Sequence, residues 1–583
     1  MSEIIVGIDL GTTNSEIAVY HDGRPEVLAD AEGRLILPSV VGLDQDGNLL
    51  VGDSARNQYV LHPDRTVRSV KRLMGSDRTI SLGGREYTPQ NISAMILRRL
   101  KEIAEARLGQ PVLKAVITVP AFFSDAQRQA TREAGEIAGF VVARIVNEPT
   151  AAALVYEAAQ QQGKRVLVYD LGGGTFDVSV VRIEEGVVEV IASHGNNHLG
   201  GDDFDHKIVE HVLEHLKIAH KADVSDDPQA MARILRAAEA AKKQLSDHPF
   251  ARIEEEYLAD VDGKPVHLAL EISRVEYEEM IAAYIEETLS AIHIALQSAA
   301  LTASQIEEVL LVGGATRTPL IRHRLAEVFG RPARGEVDPD LCVALGAAIQ
   351  GAAIAGEKVS AVLVDVTPYT FGTSALGELN GSYYPYCFIP IIAKNTPIPV
   401  RKSEAFATIN DNQKVVEVRI YQGENEDALE NIQIGEFRVE DLADVPAGNT
   451  IILDLALDRD GILHVSAKEK ATGLERRITI NNAMSRYDNA EIEEARQHID
   501  HLFGEAVDET ATADDVEGAA PADPKLEALL AKARAKLDGA IAEDRTEIVD
   551  LIEAIEDSRA SNDAAGLSDA ARRLDDLLFY LDT

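Results

Sequence analysis

The sequence predicts a multidomain protein in which a large α/β unit is followed by a β domain and then by helices. From the N-terminus to about Glu357, Val/Ile runs alternate with Ala/Glu/Arg-rich stretches of helical period, which is typical of α/β architecture. From Thr367 to about Asn482, short segments alternate between apolar and polar residues and favour β-strands. Beyond Ser485, apolar residues recur at helical spacing. A length of 583 residues supports this division, since domains average about 150 residues.

Composition excludes several classes of protein. The apolar fraction of 45% and the charged fraction of 26% are those of a globular protein, so global disorder is excluded. The formal net charge of −40 would repel nucleic acids and acidic membrane surfaces, and we expect neither as a partner. The two cysteines, Cys342 and Cys387, lack metal-ligand spacing, and we expect buried thiols. The sequence shows no secretory signal and no membrane-spanning run, so we expect a cytoplasmic protein.

Four segments follow from the changes in pattern. Residues 1–357 form the α/β unit, 358–367 a hydrophobic linker, 368–484 the β domain and 485–583 the helical part. The linker contains the run VSAVLVDV, which is too apolar for a solvated connection. In the β domain, Asp460-Gly461 lies between two alternating runs and predicts a hairpin. The stretch 505–524, rich in Asp, Ala and Thr, predicts a mobile loop.

An internal repeat marks the α/β unit. VGIDLGTTNS at residues 6–15 is matched by LVYDLGGGTFD at 167–177, and each is an apolar strand that ends in Asp, followed by a Gly/Thr turn and a second strand. Two such hairpins imply a duplicated core. Glycine turns let backbone N–H groups approach phosphate oxygens, and the threonines of both turns add hydroxyl donors. Asp9 and Asp170 then suit Mg²⁺, which is held by a few carboxylates and retained waters. The alternative is a pair of ordinary β-turns with solvated carboxylates.

A third glycine turn, GGATR at residues 313–317, follows the strand-like run Val309–Val312. A helix start follows at Thr318-Pro319, where proline replaces an N–H that the first turn does not need. Alone this turn is nonspecific. Beside two phosphate turns it suits the nucleoside side of the same cleft.

Nine motifs, in order along residues 4–500, resemble the DnaK-type (heat-shock-seventy) molecular chaperones. They are IDLGTTNS (8–15), ITVPAFFSDAQRQAT (117–131), VNEPTAAAL (146–154), YDLGGGTFDVS (169–179), LGGDDFD (199–205), LLVGGATRTP (310–319), VALGAAIQG (343–351), AKNTPIP (393–399) and DGILHVSAKEK (460–470). The short segment after Lys71, the tail and the altered peptide-site residues resemble the HscC-type bacterial branch most.

The resemblance implies an α/β actin-like ATPase domain with a duplicated ribonuclease-H-like core, a β-sandwich peptide-binding domain and an α-helical lid. It implies an ATP-dependent chaperone that binds and releases apolar extended peptides, in which Mg-dependent ATP hydrolysis converts a weak, fast-exchanging state to a tight-holding state. The implied cofactors are ATP/ADP, Mg²⁺ and K⁺. The implied partners are unfolded polypeptides, a J-domain co-chaperone and a nucleotide-exchange factor, as in a stress response.

The same resemblance assigns residues of the nucleotide site. Lys71 would orient the attacking water and the γ-phosphate, and Glu148 would lie near that water and Mg²⁺. The catalytic set is Lys71, Glu148, Asp170 and Thr175, and the metal set is Asp9, Asp170 and Asp177. The phosphate loops are Gly11, Thr12, Thr13 and Asn14, and Gly172, Gly173, Gly174 and Thr175. Without the resemblance, Lys71 would be interpreted as an exposed helix lysine and Glu148 as a turn carboxylate.

The nucleoside side is assigned in the same way. Its residues are Gly200, Gly201, Asp202, Glu239, Lys242, Lys243, Ser246, Gly313, Gly314, Arg317 and Asp338. Residues 239, 242, 243 and 246 share one helix face, which an amphipathic helix with a Glu/Lys pair would also produce. Lys243 stands where many members of the family have arginine, a better stacking partner for a base.

The linker residues implied to report the nucleotide state are Val362, Leu363, Val364 and Asp365, with Pro120 and Arg128 as relay and Arg144 as a J-domain contact. For the last three, the alternatives are a turn proline and surface arginines. Peptide binding would involve Thr373, Ala375, Leu376, Ile409, Val416 and Val418, for which sandwich core is the alternative. Thr373 replaces a common aliphatic residue and a Tyr-rich segment follows it, so we expect a narrower clientele.

Two other classes share a pair of phosphate hairpins. One is a small-molecule kinase of the actin-like superfamily, and the other is an actin-like filament protein. The β domain and the helices that follow the linker disfavour both.

Overall fold

The computed structural model describes residues 3–157, 163–184, 186–261, 263–334, 338–359, 362–479, 487, 489–504 and 574. The chain divides into two compact units, Met1–Glu505 and Ala506–Thr583, and all helices and strands with described bounds belong to the first. The predicted loop at 505–524 and the predicted helical residues after it, apart from residue 574, lie outside the described residues.

The first lobe contains two sheets, a short hairpin and four helices. Its strands are β1 (Ile5–Leu10), β2 (Asn14–His21), β3 (Arg24–Val27), β4 (Leu37–Pro38), β5 (Val40–Leu43), β6 (Leu49–Val51), β7 (Thr66–Arg68), β8 (Ile80–Leu82), β9 (Arg85–Tyr87), β10 (Lys114–Val119) and β11 (Val141–Asn147). Its helices are α1 (Asp53–Gln58), α2 (Pro89–Leu108), α3 (Asp125–Ile137) and α4 (Glu148–Glu157). The main sheet has the order β11-β10-β1-β2-β3, with β4 beside β2.

The second lobe follows the same plan. Its strands are β12 (Lys164–Leu171), β13 (Phe176–Glu184), β14 (Val187–Asn196), β15 (Phe250–Val261), β16 (Lys264–Ser273), β17 (Glu308–Val312) and β18 (Val362–Val366). Its helices are α5 (Gly201–His215), α6 (Pro228–Asp247), α7 (Arg274–Ser298), α8 (Pro319–Phe329) and α9 (Cys342–Ile354). The sheet order β17-β12-β13-β14-β18 continues to one strand of the β domain.

The predicted duplication is visible in the strand pairing. β1 is antiparallel to β2 and parallel to β10, and β12 is antiparallel to β13 and parallel to β17. Helices α4 and α9 pack in one buried apolar cluster with residues of both sheets, among them Ile5 of β1 and Val168 of β12. The turns that end β1 and β12 are therefore brought to the same cleft.

Local sequence explains where the helices begin. The side chains of Thr88, Ser124 and Ser273 cap α2, α3 and α7 and form reciprocal capping boxes with residues three positions later. Proline is the first residue of α6 and of α8, where its missing N–H costs no helical bond. Among the described residues no helix is long and apolar enough to cross a membrane.

The β domain is a sandwich of two four-stranded sheets around one apolar core. Its strands are β19 (Phe371–Leu379), β20 (Ser382–Ile392), β21 (Pro397–Ile398), β22 (Val400–Ala407), β23 (Val416–Gln422), β24 (Ile432–Val439), β25 (Thr450–Leu457), β26 (Leu463–Glu469) and β27 (Glu475–Thr479). The sheets have the orders β20-β19-β23-β24 and β22-β25-β26-β27. Buried and partly buried residues alternate along β25, as the period-two pattern predicts. The predicted hairpin joins β25 to β26, and Gly461 at its turn has a φ of 77°.

The hydrophobic linker and the first helix after the sandwich both lie against the α/β unit. The linker forms β18, which is parallel to β14 and antiparallel to β21. Val366 is buried and Leu363 partly buried in the apolar cluster between the two sheets of the α/β unit, which explains the apolar character of the linker. The helix α10 (Asn489–Leu502) places Ile499, 1% exposed, in the core of the first lobe. Both predicted thiols, Cys342 and Cys387, are buried.

Candidate functional site

A cavity of about 670 Å³ lies between the two lobes, where the glycine turns meet. This volume is within the range of about 300–1,000 Å³ that is usual for small-molecule sites. The predicted residues that line it are Asp9, Gly11, Thr12, Thr13, Asn14, Lys71, Glu148, Asp170, Gly172, Gly173, Thr175, Gly201, Asp202, Glu239, Lys242, Lys243, Ser246, Gly313, Gly314 and Arg317. Four predicted residues are outside this lining, namely Gly174, Gly200, Asp177 and Asp338.

The two phosphate-type turns are pressed against each other. A Cβ atom on Gly173 would lie 1.8 Å from the Thr13 hydroxyl oxygen, and one on Gly200 would lie 2.5 Å from the Gly173 backbone. Gly313 combines a φ of 81° with a backbone contact that a Cβ atom would bring to 2.4 Å. Side chains at these positions would therefore push the turns and α5 apart.

Acidic side chains crowd the floor of the cavity. Burial and the nearby Glu148 raise the pKa of Asp9 to about 7, and they also raise the pKa of Asp177 to about 7. Burial and the surrounding carboxylates raise the pKa of Asp170 well above its usual range. The Oδ2 atom of Asp170 is buried and has no hydrogen-bond partner among the described residues. The cluster holds more acidic than basic side chains, and a bound cation would offset this excess of negative charge.

Lys71 is buried at the centre of this cluster. It lies in a 3₁₀ turn that comprises residues 70–73, and it is 3% exposed. Its Nζ atom donates to Oε1 of Glu148 at 2.5 Å and lies 5.6 Å from the centre of the Phe123 ring. The alternative of an exposed helix lysine is thus wrong. Both members of the pair line the cavity, which allows them to reach a bound phosphate.

The predicted nucleoside side is formed by α5, α6 and the third glycine turn. Lys242 donates to the Gly201 carbonyl and to Asp205, both at 2.9 Å, and it thereby ties α6 to the start of α5. Lys243 pairs with Glu239 at 2.6 Å, and both residues line the cavity. The helix face therefore carries the Glu/Lys pair and also forms part of the cavity wall. Asp338, which is exposed and lies outside the lining, accepts from Arg317 at 2.9 Å.

Sequence reasoning missed several acidic residues of the cavity, among them Glu16, Asp205 and Asp340. Glu16 pairs with Asp9 across the first hairpin in the register in which Asp177 pairs with Asp170 across the second. The internal repeat contained this signal, because the duplicated hairpins place a carboxylate at the same position. Arg317 also binds Asp340 at 2.7 Å.

The metal-binding prediction fits the residues that are present. In the described part of the chain, no group of three or more His, Cys, Asp or Glu side chains is close enough to hold a metal alone. Mg²⁺ does not need such a group, because it retains waters and binds substrate phosphates through one or two carboxylates. Asp9, which is partly buried, and Asp170, which is buried, offer carboxylates of this kind, and the unpartnered Oδ2 atom of Asp170 fits a cation. Asp177 uses Oδ1 to accept from the Phe122 N–H at 3.0 Å.

A chain of hydrogen bonds leads from the carboxylates to the linker strand. Phe122 follows Pro120, which is buried, and the carbonyls of Ala121 and Phe123 accept from Arg128. Arg128 also donates to Asn147 Oδ1 at 2.6 Å. Asn147 in turn donates to Asp365 at 2.7 Å. Asp177 is thus connected to the linker through the backbone of residues 121–123 and the side chains of Arg128 and Asn147.

Asp365 is the polar anchor of the docked linker. It is 6% exposed, and its Oδ2 accepts from Asn147 and from Thr150 at 3.2 Å. Burial raises its pKa. On the same strand, Leu363 packs against the core between the two sheets. Sequence reasoning named Asp365 but missed Asn147 and Thr150.

The β domain also contacts the first lobe directly, through a surface that we call the docking interface. Asp460, in the turn between β25 and β26, pairs with Arg132 and accepts from the Ile145 N–H at 3.2 Å. Arg144 is only partly exposed and lies in the field of Asp460 and Asp365. Asp125 is buried beside Leu463, and this burial raises its pKa to about 7.

The predicted peptide-binding residues of β23 lie mainly in the sandwich core. Val418 is 5% exposed and belongs to that core, and Val416 packs against it. Thr373 is buried and donates its hydroxyl to the Arg419 carbonyl at 2.8 Å. The core interpretation therefore applies to Val418.

Two other predicted peptide residues are open to solvent. Leu376 lies at an irregularity of β19 and is 53% exposed, whereas Ile409, in the loop after β22, is 65% exposed. Ala375 pairs with Cys387 on β20. In the Tyr-rich segment, Tyr383 is 88% exposed while Tyr384 donates to Asp427 at 3.1 Å.

Comparisons with known proteins agree with this architecture. The model of the Hsp70 protein family matches residues 5–81 and 77–580. The chaperone protein DnaK of Thermotoga petrophila is 48% identical over 487 residues, which are 82% of this chain and 80% of the relative. The chaperone protein DnaK of Thermosipho melanesiensis is 46% identical over 507 residues, which are 85% of this chain and 84% of the relative.

A two-lobed α/β unit with this cavity, a β-sandwich and these matches define an ATP-dependent molecular chaperone. The chain belongs to the Hsp70 family. The predicted fold class and chaperone function are thereby confirmed, and the kinase and filament alternatives are not favoured. Hsp70 chaperones are ATPases in general. The narrower resemblance to the HscC-type branch stays a prediction.

Proposed function

We propose that this chain hydrolyses ATP in the cavity between its lobes with Mg²⁺, and that the nucleotide state controls its hold on apolar peptides. One observation carries the proposal: two apposed glycine turns, a buried lysine–glutamate pair and strand-end carboxylates all line one cavity. Phosphoryl transfer depends mainly on positioning and on neutralising charge, and this arrangement provides both.

The residues have distinct tasks in this proposal. The backbone of residues 11–14 and 172–175 receives the phosphates, with the hydroxyl groups of Thr12, Thr13 and Thr175 as donors. Lys71 orients the γ-phosphate and the attacking water, and Glu148 fixes the position of its ammonium group. Mg²⁺, when bound with ATP at Asp9 and Asp170, would neutralise phosphate charge, and K⁺ would add to this. Residues 239, 242, 243 and 246 hold the nucleoside.

The docked linker couples this site to peptide binding. A ligand shifts a conformational equilibrium only through unequal affinities for the two states, so ATP and peptide must favour opposite states. We assign the docked arrangement of β18 to the weak, fast-exchanging state. Hydrolysis would release the linker through Asp177, Arg128 and Asn147, and the chain would then hold its peptide.

The partners follow from this cycle. The substrates are unfolded or extended polypeptides, with Leu376 and Ile409 as exposed apolar contacts. A J-domain co-chaperone would act near Arg144 and a nucleotide-exchange factor would open the cleft. Because the docking interface already occupies the surroundings of Arg144, the co-chaperone would bind next to Asp460 and act on both domains.

Release of a labelled peptide tests the proposal. A complex of the ADP-bound chain with a fluorescent apolar peptide is mixed rapidly with ATP or with excess ADP. We expect ATP to accelerate release by about 5- to 150-fold, the usual range of coupling between two sites. A non-hydrolysable ATP analogue serves as control, and it should accelerate release equally because binding drives this step. If no member of an apolar peptide library binds in ADP, the holding role is refuted.

A further inference from the structure

One turn of the first lobe reaches across the cleft and binds the second lobe with three side chains. The turn comprises Arg68 at the end of β7, Ser69, and the 3₁₀ turn of residues 70–73. Arg68 pairs with Glu239 at 3.3 Å, and the Ser69 hydroxyl donates to Asp202 Oδ2 at 2.6 Å. Arg72 binds Asp203 with both terminal nitrogens, at 2.5 and 3.2 Å.

The backbone of this turn is strained at its centre. Ser69 has a φ of 53°, in the left-handed region that residues other than glycine rarely adopt. Such strain persists only where the surroundings hold it, and it tends to occur at functional positions. Here the bond from Ser69 to Asp202 crosses the cleft two residues before Lys71. The strained residue therefore links the position of Lys71 to that of the opposite lobe.

The partners on the second lobe belong to the edge of the cavity. Asp202 and Glu239 line it, and Asp203 also accepts from the Gly200 N–H at 2.7 Å. The ion pairs are well shielded, since the Arg68 and Glu239 side chains are 18% and 16% exposed. Shielded pairs resist salt and water better than surface pairs. The lobes cannot separate at this edge unless all three contacts break.

We propose that Arg68, Ser69 and Arg72 form a clasp between the lobes that positions Lys71 and limits the release of nucleotide. The inference rests on the proposed function, because it takes the cavity to hold a nucleotide. It extends that function by assigning the rate of exchange to three positioning residues that do not themselves line the main cavity. Opening of the cleft would begin at this edge.

Release of a fluorescent ADP derivative, chased with excess ADP, tests the clasp. We expect Arg68→Ala and Ser69→Gly to release it about 3-fold faster and Arg72→Ala about 10-fold faster, as the loss of one or two shielded hydrogen bonds implies. The matched control is Arg233→Ala, because Arg233 on α6 pairs with Glu255 within the second lobe. It should release at the wild-type rate.

Two comparisons separate a clasp from a merely structural role. Ser69→Gly relieves the backbone strain while it removes the bond, so release should accelerate without a lower melting temperature. Arg68→Lys keeps the charge and should release the derivative at the wild-type rate, and Arg72→Ala carries the test if Arg68→Ala does not fold. Wild-type release rates in Ser69→Gly and Arg72→Ala, with ADP binding kept, would overturn the clasp alone. Failure of the wild-type chain to bind ADP would overturn the proposed function and the clasp with it.

Discussion

The cleft and the docking interface are both rich in buried charge, but they balance it differently. In the cleft, burial and neighbouring carboxylates raise the pKa of Asp9, Asp170 and Asp177, and the positive charge of Lys71 acts in the opposite direction. At the docking interface Asp460 pairs with Arg132, and on the docked linker Asp365 accepts from Asn147. The cleft carboxylates share Lys71 as a buried cation, whereas Asp460 and Asp365 each have a protein partner of their own. The cleft is thus suited to binding a ligand and reacting with it, and the contacts of the β domain and the linker are suited to docking and undocking.

Loss of Lys71 should have the largest effect, because it removes the central cation of the cleft. Lys71→Ala should keep ATP binding and slow single-turnover hydrolysis by about 100-fold or more, as when a preorganised charge is deleted. Lys101→Ala is the matched control, since Lys101 is also buried but donates to the Gly139 carbonyl away from the cavity. Unchanged hydrolysis in Lys71→Ala would show that the cleft does not depend on this charge.

Asp365→Asn should weaken the docking of the linker without changing the residues of the cleft. The new amide cannot accept from Asn147 and Thr150 and also face the Val366 N–H, so one buried donor loses its acceptor. We expect stimulation of the ATPase rate by peptide to fall about 10-fold, with the basal rate kept. Asp454→Asn, within the β domain, is the control. Full stimulation in Asp365→Asn would contradict the linker model.

The smallest effect should come from pH, through the protonation of Asp125 at the docking interface. Arg128, Asp458, His464 and the Leu463 N–H face this carboxyl, whose pKa of about 7 exceeds the ordinary 3.8. The docked state therefore binds a proton more tightly than the undocked state, so docking is favoured below pH 7 and loses this contribution as the pH rises. One linked proton changes the equilibrium by at most about tenfold per pH unit.

The measurement compares ATP-induced peptide release at pH 6 and pH 8. The cleft carboxylates titrate in the same range in both proteins, so the difference between the wild-type chain and Asp125→Asn isolates Asp125. We expect the variant to have the flatter profile by a few-fold. Identical profiles would show that Asp125 does not change its proton occupancy on docking.

Much of the cleft could be predicted from sequence because its signals are local. The strand, the terminal Asp and the glycine turn stand within ten residues of one another, and their repetition at residues 167–177 shows that two such turns meet. Glu16 was within reach of the same argument. The docking interface could not be predicted from local sequence, because Arg132 and Asp460 are 328 positions apart and meet only when the domains associate. The peptide site was the hardest part to predict, because an alternating strand does not show which of its apolar residues fill the core. Val418 is one that does fill it.

The linker strand pairs with β14 of the second lobe and with Pro397–Ile398 of the β domain. Its successive side chains therefore point to alternate faces of the sheet. Insertion of one residue within Val362–Val366 would turn Asp365 to the opposite face, while insertion of two would restore its face. The face on which Asp365 lies therefore depends on whether the number of inserted residues is odd or even. For fusions and circular permutations of this chain, an even change should preserve communication between the domains better than an odd one.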